Sequence, residues 1–395
     1  MEISDKSKLL LIPSGYNTGK VYSVFPTDGD GDFTFSRTGE ATRINPGGLI
    51  ETVETQIPRI DHSGGGCPSL LLEPQRTNSV LNSEPTANEG DTIGITYELY
   101  SWENGLSNAV RFTNGVTSFR YCGTAIASVS NTFSFYVLMN DEGEPLVGDN
   151  SSQYDLSVAI GGLVVSDVST EYQGNNIWRV FGTSTVGLST LLYNGVIKYD
   201  VQSDRGFICT GFQIEQGSYS TSYIPTNGAT ATRVGELCNN AGNVNTFNDN
   251  EGVLFVEGKF PNTSASANRY ITISDGGGSP YTNQISLYFF DSTRIFAYIG
   301  GISSATQAFR VDNVDIQNSV FKIAIQYKNG DNKLFFNGVE YFQQGTFVDS
   351  NLSGLNNLDL ASADAVAFSA NMKIKDLRYY DTVLTDAELQ ELTTL

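Results

Sequence analysis

Apolar side chains recur at every second position in short runs along most of the chain, the period of a half-buried strand. Residues 133–137 place Phe133, Phe135 and Val137 on one face, and residues 212–215 do the same with Phe212 and Ile214. Trp178-Arg179-Val180-Phe181, bounded by Gly174-Asn175-Asn176 and Gly182, is a further strand candidate. Later in the chain Ile285, Leu287 and Phe289 share a face, as do Ile295, Ala297 and Ile299. The alternation is strict from Phe321 through Ile323 and Ile325 to Tyr327. That run leads through Lys328-Asn329-Gly330-Asp331-Asn332 into a second strand, Leu334 to Phe336, and then into Asn337-Gly338. Asn-Gly supplies the positive φ angles of a tight hairpin turn, so the chain is expected to fold back there. A helix is predicted at the very end. Thr385-Asp386-Ala387-Glu388 is a capping box, and Leu384 before it and Leu389 after it form a hydrophobic staple. Leu392 extends that apolar face, so the helix should lie against a sheet.

The pattern divides the chain into three. Residues 1–85 are rich in Gly, Pro, Asp and Arg, with short apolar runs at 9–12 and 70–72 between turn clusters such as Asp28-Gly29-Asp30-Gly31-Asp32. A segment with so little core of its own stays ordered by lying along other surfaces. Residues 90–235 and 245–395 each read as short strands punctuated by turn signals, as in a sandwich or jelly roll. The polar stretch 239–245 lies between them, in the manner of a linker. The expected fold class is all-β: two β-sandwiches, jelly-roll or concanavalin-A-like, after an irregular N-terminal docking module, with one short C-terminal helix.

Composition agrees with this reading and narrows the function. The 395 residues include 40 Gly, 20 Tyr and 23 Phe against only 17% charged residues, a balance that favours sheets and turns over helices. With 23 basic and 43 acidic side chains the formal charge is −20. Such a surface repels phosphate backbones, so no nucleic-acid partner is expected. Cys67, Cys122, Cys209 and Cys238 lie far apart beside a lone His62. No clustered zinc ligand set can be drawn from them, and the cysteines read as free and mostly buried thiols. The apolar run at 9–12 is too short for a secretory signal or a bilayer span. The expectation is a protein folded in the cytoplasm where it is made, with no membrane insertion.

Two stretches resemble proteins of tailed-phage virions. The first comprises Phe33-Thr34-Phe35-Ser36-Arg37, Ala41-Thr42-Arg43-Ile44-Asn45, Gly48-Leu49-Ile50-Glu51, Pro58-Arg59-Ile60-Asp61 and Pro68-Ser69-Leu70-Leu71-Leu72-Glu73-Pro74-Gln75-Arg76-Thr77-Asn78. It resembles an N-terminal module of phage fibre and appendage proteins. The second runs from Gln213-Ile214-Glu215-Gln216-Gly217 through Tyr223-Ile224-Pro225-Thr226 to Ala231-Thr232-Arg233. It is similar to the closing strand and exit of carbohydrate-binding-module-like jelly rolls in such proteins. The last segment, with Asn337-Gly338 and with Lys373-Ile374-Lys375-Asp376-Leu377-Arg378-Tyr379-Tyr380 running into the capped helix, looks like a concanavalin-A or laminin-G-like domain. The resemblances imply a virion subunit, a fibre or capsid decoration on head or tail. It would be homo-oligomeric, by analogy a trimer, and would contact sister chains and other virion proteins. Its sandwiches would either bind host or environmental glycans or serve as architecture.

The candidate chemistry is sparse. Asp28, Asp30 and Asp32 offer carboxylates at alternate positions, as calcium loops do, but without the distal bidentate Glu. Glycan hydrolysis requires two carboxylates facing one sugar. The Glu-x-Asp-x-Glu strand that supplies them in sandwich glucanases is missing, and Asp312 and Asp315 fall in an expected turn. A Ser-His-Asp triad would have to use His62, beside Gly64-Gly65-Gly66, where a turn or packing role fits better. No enzyme is expected. Tyr100 and Trp102 in the first sandwich, and Tyr281 in a loop-like stretch of the second, are candidate sugar-stacking rings, with a core role as the plain alternative. Arg37, Arg43, Arg59 and Arg76 are candidate docking residues toward carboxylates of a neighbouring chain. Each of them can instead cap turns within its own chain.

Overall fold

The structure is a computed structural model. It describes residues 3–395 except 64–65, 87–94, 114–117, 122–128, 150–152, 185–193, 199–204, 261–268, 278–282, 292, 302–303, 315, 317–318, 343–350 and 362–370. The chain is all-β apart from a 3-10 turn at Ile3–Lys6 and the helix Asp386–Thr393, and its named strand pairs are antiparallel.

The first sandwich packs a six-stranded sheet on a four-stranded one. The larger sheet has the order Ile95–Ser101, Ser107–Phe112, Phe207–Gln216, Asn131–Met139, Ile177–Ser184, Val168–Gly174. The smaller runs Ser118–Tyr121, Gly195–Lys198, Leu156–Ile160, Leu163–Val164. Phe133, Phe135 and Val137 point into the space between them as the alternation requires, joined by Phe112, Val158, Val180, Phe207, Phe212 and Ile214. Strand Phe207–Gln216 carries a bulge at Gly211, where the register against Asn131–Met139 shifts between Ser134 and Tyr136. Gly211 has φ +66°, and a Cβ there would lie 2.6 Å from Cδ2 of Tyr136. Only glycine makes the turn that keeps Cys209, Phe212 and Ile214 all on the core side.

The second sandwich has an eight-stranded and a five-stranded sheet. The larger follows the order Val339–Tyr341, Lys333–Phe336, Val320–Lys328, Glu251–Lys259, Lys373–Tyr380, Ser69–Leu71, Arg59–Asp61, with Leu9–Leu11 as the eighth strand, paired to Lys373–Tyr380 off this path. The smaller follows Ser304–Val311, Ile295–Gly301, Gln284–Phe289, Arg269–Ser274, Asn357–Asp359. Ile285, Leu287, Phe289, Ile295, Ala297, Ile299, Phe321, Ile323, Ile325 and Tyr327 fill the core between them. Phe336 pairs with Val339 across Asn337-Gly338, with φ 48° and 79°, so the expected two-residue hairpin forms. The helix is capped as its sequence dictates, with Glu388 N donating to Thr385 Oγ1 at 3.3 Å and Thr385 N donating to Glu388 Oε2 at 2.9 Å. Leu384, Leu389 and Leu392 pack on Val253, Phe255, Phe335 and Tyr380, the face of the large sheet turned away from the core.

The first 85 residues are woven mainly into this second sandwich, while Val80 enters the core of the first. Their strands are two to four residues long, too short to show an alternation in sequence. Leu9–Leu11 pairs with residues 377–379, and Ser69–Leu71 with residues 373–374, so two N-terminal strands share one edge of strand Lys373–Tyr380. Phe33–Ser36 pairs with Leu237–Asn239, and Arg76–Asn78 with Ala231–Arg233. Leu9, Leu11, Val21, Phe33, Phe35, Ile60, Leu70 and Leu72 enter the same core as Ile271 and Leu377.

Candidate functional site

Residues of the 33–78 and 213–236 segments meet at a buried charge cluster. Arg59, fully buried, donates through Nε to Glu236 Oε1 at 2.8 Å and through Nη1 to Glu73 Oε2 at 2.8 Å, and its Nη2 also binds Glu236. Arg37 Nη1 donates to Glu236 Oε1 at 2.7 Å, and Arg233 Nη1 lies 2.9 Å from Glu73 Oε2. Glu73 also accepts from the Ser222 amide at 2.8 Å. Burial alone would raise the Glu73 carboxyl, but Arg233 and Arg59 outweigh it and hold it well below the carboxylate range. For Arg59 burial opposes the charge, and Glu236 and Glu73 overcome it, raising its pKa. Asn78 completes the arrangement. Its Nδ2 donates to the carbonyls of Phe212 and Ile224, while its Oδ1 accepts from the amides of Val80 and Ile214.

The structure sets all four candidate docking arginines against groups of their own chain. Arg37 and Arg59 have no exposed side chain to offer a neighbour. Arg43 is held by Glu51 at 2.6 Å and Tyr16 at 3.2 Å, and Arg76 lies over the Tyr219 ring at 5.0 Å with Glu215 3.5 Å away. All four guanidinia serve contacts within the chain. Their partners Glu236 and Glu215 lie far along the chain, and Glu73 directly after Leu70-Leu71-Leu72 is the one sequence signal that a charge is carried into a buried strand end.

The outer face of the six-stranded sheet carries two of the sugar-stacking candidates, Tyr100 and Trp102. Its centre is covered by the 219–226 segment: Glu215 accepts from Thr221 N at 3.0 Å, and Gln213 Oε1 accepts from Ile224 N at 2.7 Å. One end of the face remains open as a hollow of about 520 Å³ walled by Tyr100, Trp102, Arg111, Asn140, Glu142 and Asn176 among others. Trp102 is only 4% exposed, with Nε1 donating to the Asn108 carbonyl at 2.9 Å, so it forms a wall and not a platform. Tyr100 meets it edge-on, with ring centroids 5.5 Å apart, and is itself half-buried. Arg111 is fixed by Glu98 at 2.8 Å and by Asn140 Oδ1 at 2.7 Å, and Asn176 Nδ2 donates to Glu142 Oε2 at 3.1 Å. Asn175 and Asn176, with φ 52° and 59°, form the turn that brings these amides to the rim. Tyr281 lies outside the described residues, as do Asp315 and Cys122.

The other sequence candidates are structural. Asp28, Asp30 and Asp32 do not converge. Asp28 accepts from the Asp30 amide, Asp32 accepts from the Ser23 amide, and Asp30 accepts from Asn243 Nδ2 at 2.6 Å. Among the described residues no cluster of three or more His, Cys, Asp or Glu side chains gathers for a metal. His62 donates its backbone amide to the Ile44 carbonyl at 2.9 Å in a turn. Cys209 and Cys238 are buried, whereas Cys67 is exposed.

No family model and no curated protein matches the chain. Solved structures similar to it include the CBM40 of a Ruminococcus gnavus IT-sialidase bound to alpha2,3 sialyllactose. That match has 15% identity and a TM-score of 0.33, over 40% of this chain and 94% of that one. Domains LG4-5 of the mouse laminin alpha1 chain match at 10% identity and a TM-score of 0.26, over 76% and 91%. The CBM22-1–CBM22-2 tandem of Paenibacillus barcinonensis Xyn10C matches at 9% identity and a TM-score of 0.25, over 76% and 97%. These likenesses are between β-sandwiches and carry no functional weight.

Proposed function

We propose that the chain is a non-enzymatic virion surface subunit, a fibre or capsid decoration, whose first sandwich binds glycans in the Tyr100 hollow. One observation carries the binding reading: the hollow is open, one half-buried aromatic ring sits on its wall, and fixed amide and carboxylate groups ring it. An aromatic face with a few convergent polar groups is the chemistry that recognises a sugar's apolar and hydroxylated sides. The virion setting and the homo-oligomer rest on the sequence resemblance to phage fibre and appendage proteins. Glycan-array binding by the purified protein, lost in Tyr100→Ala with an unchanged melting temperature, is the expected result. Array binding that Tyr100→Ala leaves intact, or none at all, overturns the hollow as the site. Release of reducing ends from host polysaccharide would replace the binding reading with a depolymerase. Immunogold labelling of particles and light scattering of the purified protein test the virion and oligomer parts.

A further inference from the structure

We infer that the cleft between the two sandwiches is a second binding site, one that takes the carboxylate of an acidic sugar residue. The outer face of the six-stranded sheet turns Arg179 and Glu171 toward Lys259, Asp61 and Lys373 of the second sandwich and its N-terminal strands, around a cavity of about 80 Å³. A single water needs only about 10–15 Å³. Of the charged groups that line the cavity, Arg43 pairs with Glu51, and Glu73 with Arg59 and Arg233. Lys373 Nζ lies 3.2 Å from Asp61 Oδ2, and Lys259 Nζ lies 4.0 Å from Glu171 Oε1. Arg179 is left over. It is 8% exposed, its Nη2 donates to Ser134 Oγ at 3.0 Å and to the Thr221 carbonyl at 2.6 Å, and its buried Nε has no hydrogen-bond partner. Among the described residues no carboxylate stands within ion-pair distance of it.

A guanidinium removed from water without a counter-ion is costly, and an anion supplied from outside removes that cost through charge-assisted hydrogen bonds. The Tyr136 ring, 5.6 Å from the guanidinium carbon, steadies its plane. Gln173 and Ser220 on the same wall offer amide and hydroxyl groups to the hydroxyls of the carrier, which selects a sugar acid over a bare anion. The site is distinct from the Tyr100 hollow, and it relies on the proposed function only for expecting a sugar as the carrier.

The test is a titration of the full chain with D-glucuronate, D-galacturonate, D-glucose and acetate, read by isothermal calorimetry. The expected result is uronate binding at roughly millimolar Kd, with glucose and acetate at least about ten-fold weaker. Arg179→Gln should weaken the uronate about ten-fold, the loss of one hydrogen bond to a charged group, while Tyr100→Ala leaves it unchanged. Failure of the wild type to bind either uronate, equal binding of glucose or acetate, or a folded Arg179→Gln that binds normally each overturns the inference. If Arg179→Gln does not fold, Lys259→Met on the cleft rim decides: weakened uronate binding supports the site and unchanged binding overturns it. Loss of uronate binding in Tyr100→Ala would place the acid in the hollow, ending the cleft assignment but keeping the proposed function. Uronate binding that depends on Arg179, with no glycan bound in the hollow, has the opposite meaning.

Discussion

Glu236→Gln is the substitution that best measures what holds the junction together. The Glu236 carboxylate is fully buried and accepts from Arg37 Nη1 at 2.7 Å, Arg59 Nε at 2.8 Å, Arg59 Nη2 and the Glu73 amide at 3.0 Å. The amide keeps the shape but loses the charge, and it turns an NH₂ donor toward a guanidinium that can only donate. Breaking a buried pair on one side typically costs about 3–5 kcal/mol, because the remaining charge stays buried without its partner. Two arginines are affected, although Arg59 retains Glu73, so the loss should fall within that range and not double it. Glu251→Gln, in the partly exposed pair with Lys328 at 2.6 Å, is the control and should cost no more than about 1 kcal/mol. Urea unfolding followed by far-UV circular dichroism and by tryptophan fluorescence reads both variants. Both tryptophans, Trp102 and Trp178, lie in the first sandwich, so the two signals also report whether the sandwiches unfold together. A Glu236→Gln shift no larger than that of the control would refute the claim that the cluster is a dry, interdependent network.

The same cluster predicts an acid limb. The Glu73 pKa is depressed in the folded protein, so its contribution is fully present above the unfolded-state value near 4.3 and is lost as pH falls toward the folded value. Thermal stability should therefore fall steeply below about pH 4, with a shallower slope in Glu73→Gln; equal slopes would show that Glu73 is not the titrating group. Deleting residues 1–85 strips strands Leu9–Leu11, Arg59–Asp61 and Ser69–Leu71 from the large sheet and uncovers Ile271 and Leu377, so the truncated chain should lose the folded signal of its second sandwich. A cooperative melt of residues 245–395 alone would contradict this. Thr385→Ala removes the N-cap and should cost about 1 kcal/mol with glycan binding unchanged; a loss of binding at constant stability would move function to the helix.

Short-range physics was legible in the sequence and carried the local fold. Period-two runs such as 133–137 and 321–327, the Asn337-Gly338 turn and the Thr385 capping box each encode their geometry within a few residues, and each forms as expected. What the sequence did not show depends on partners far along the chain. Arg59 finds Glu236 at a separation of 177 residues, and Leu10 pairs with Arg378. A lone arginine in a Gly- and Pro-rich stretch reads the same whether it faces solvent, a neighbouring chain or a buried carboxylate. Gln213 and Glu215 likewise alternate as outward polar residues until the 219–226 segment closes over them. The hollow beside Tyr100 and the cleft around Arg179 are also products of how separate surfaces meet. Only the tertiary structure fixes them, because burial and charge balance belong to the assembled fold and not to any segment of it.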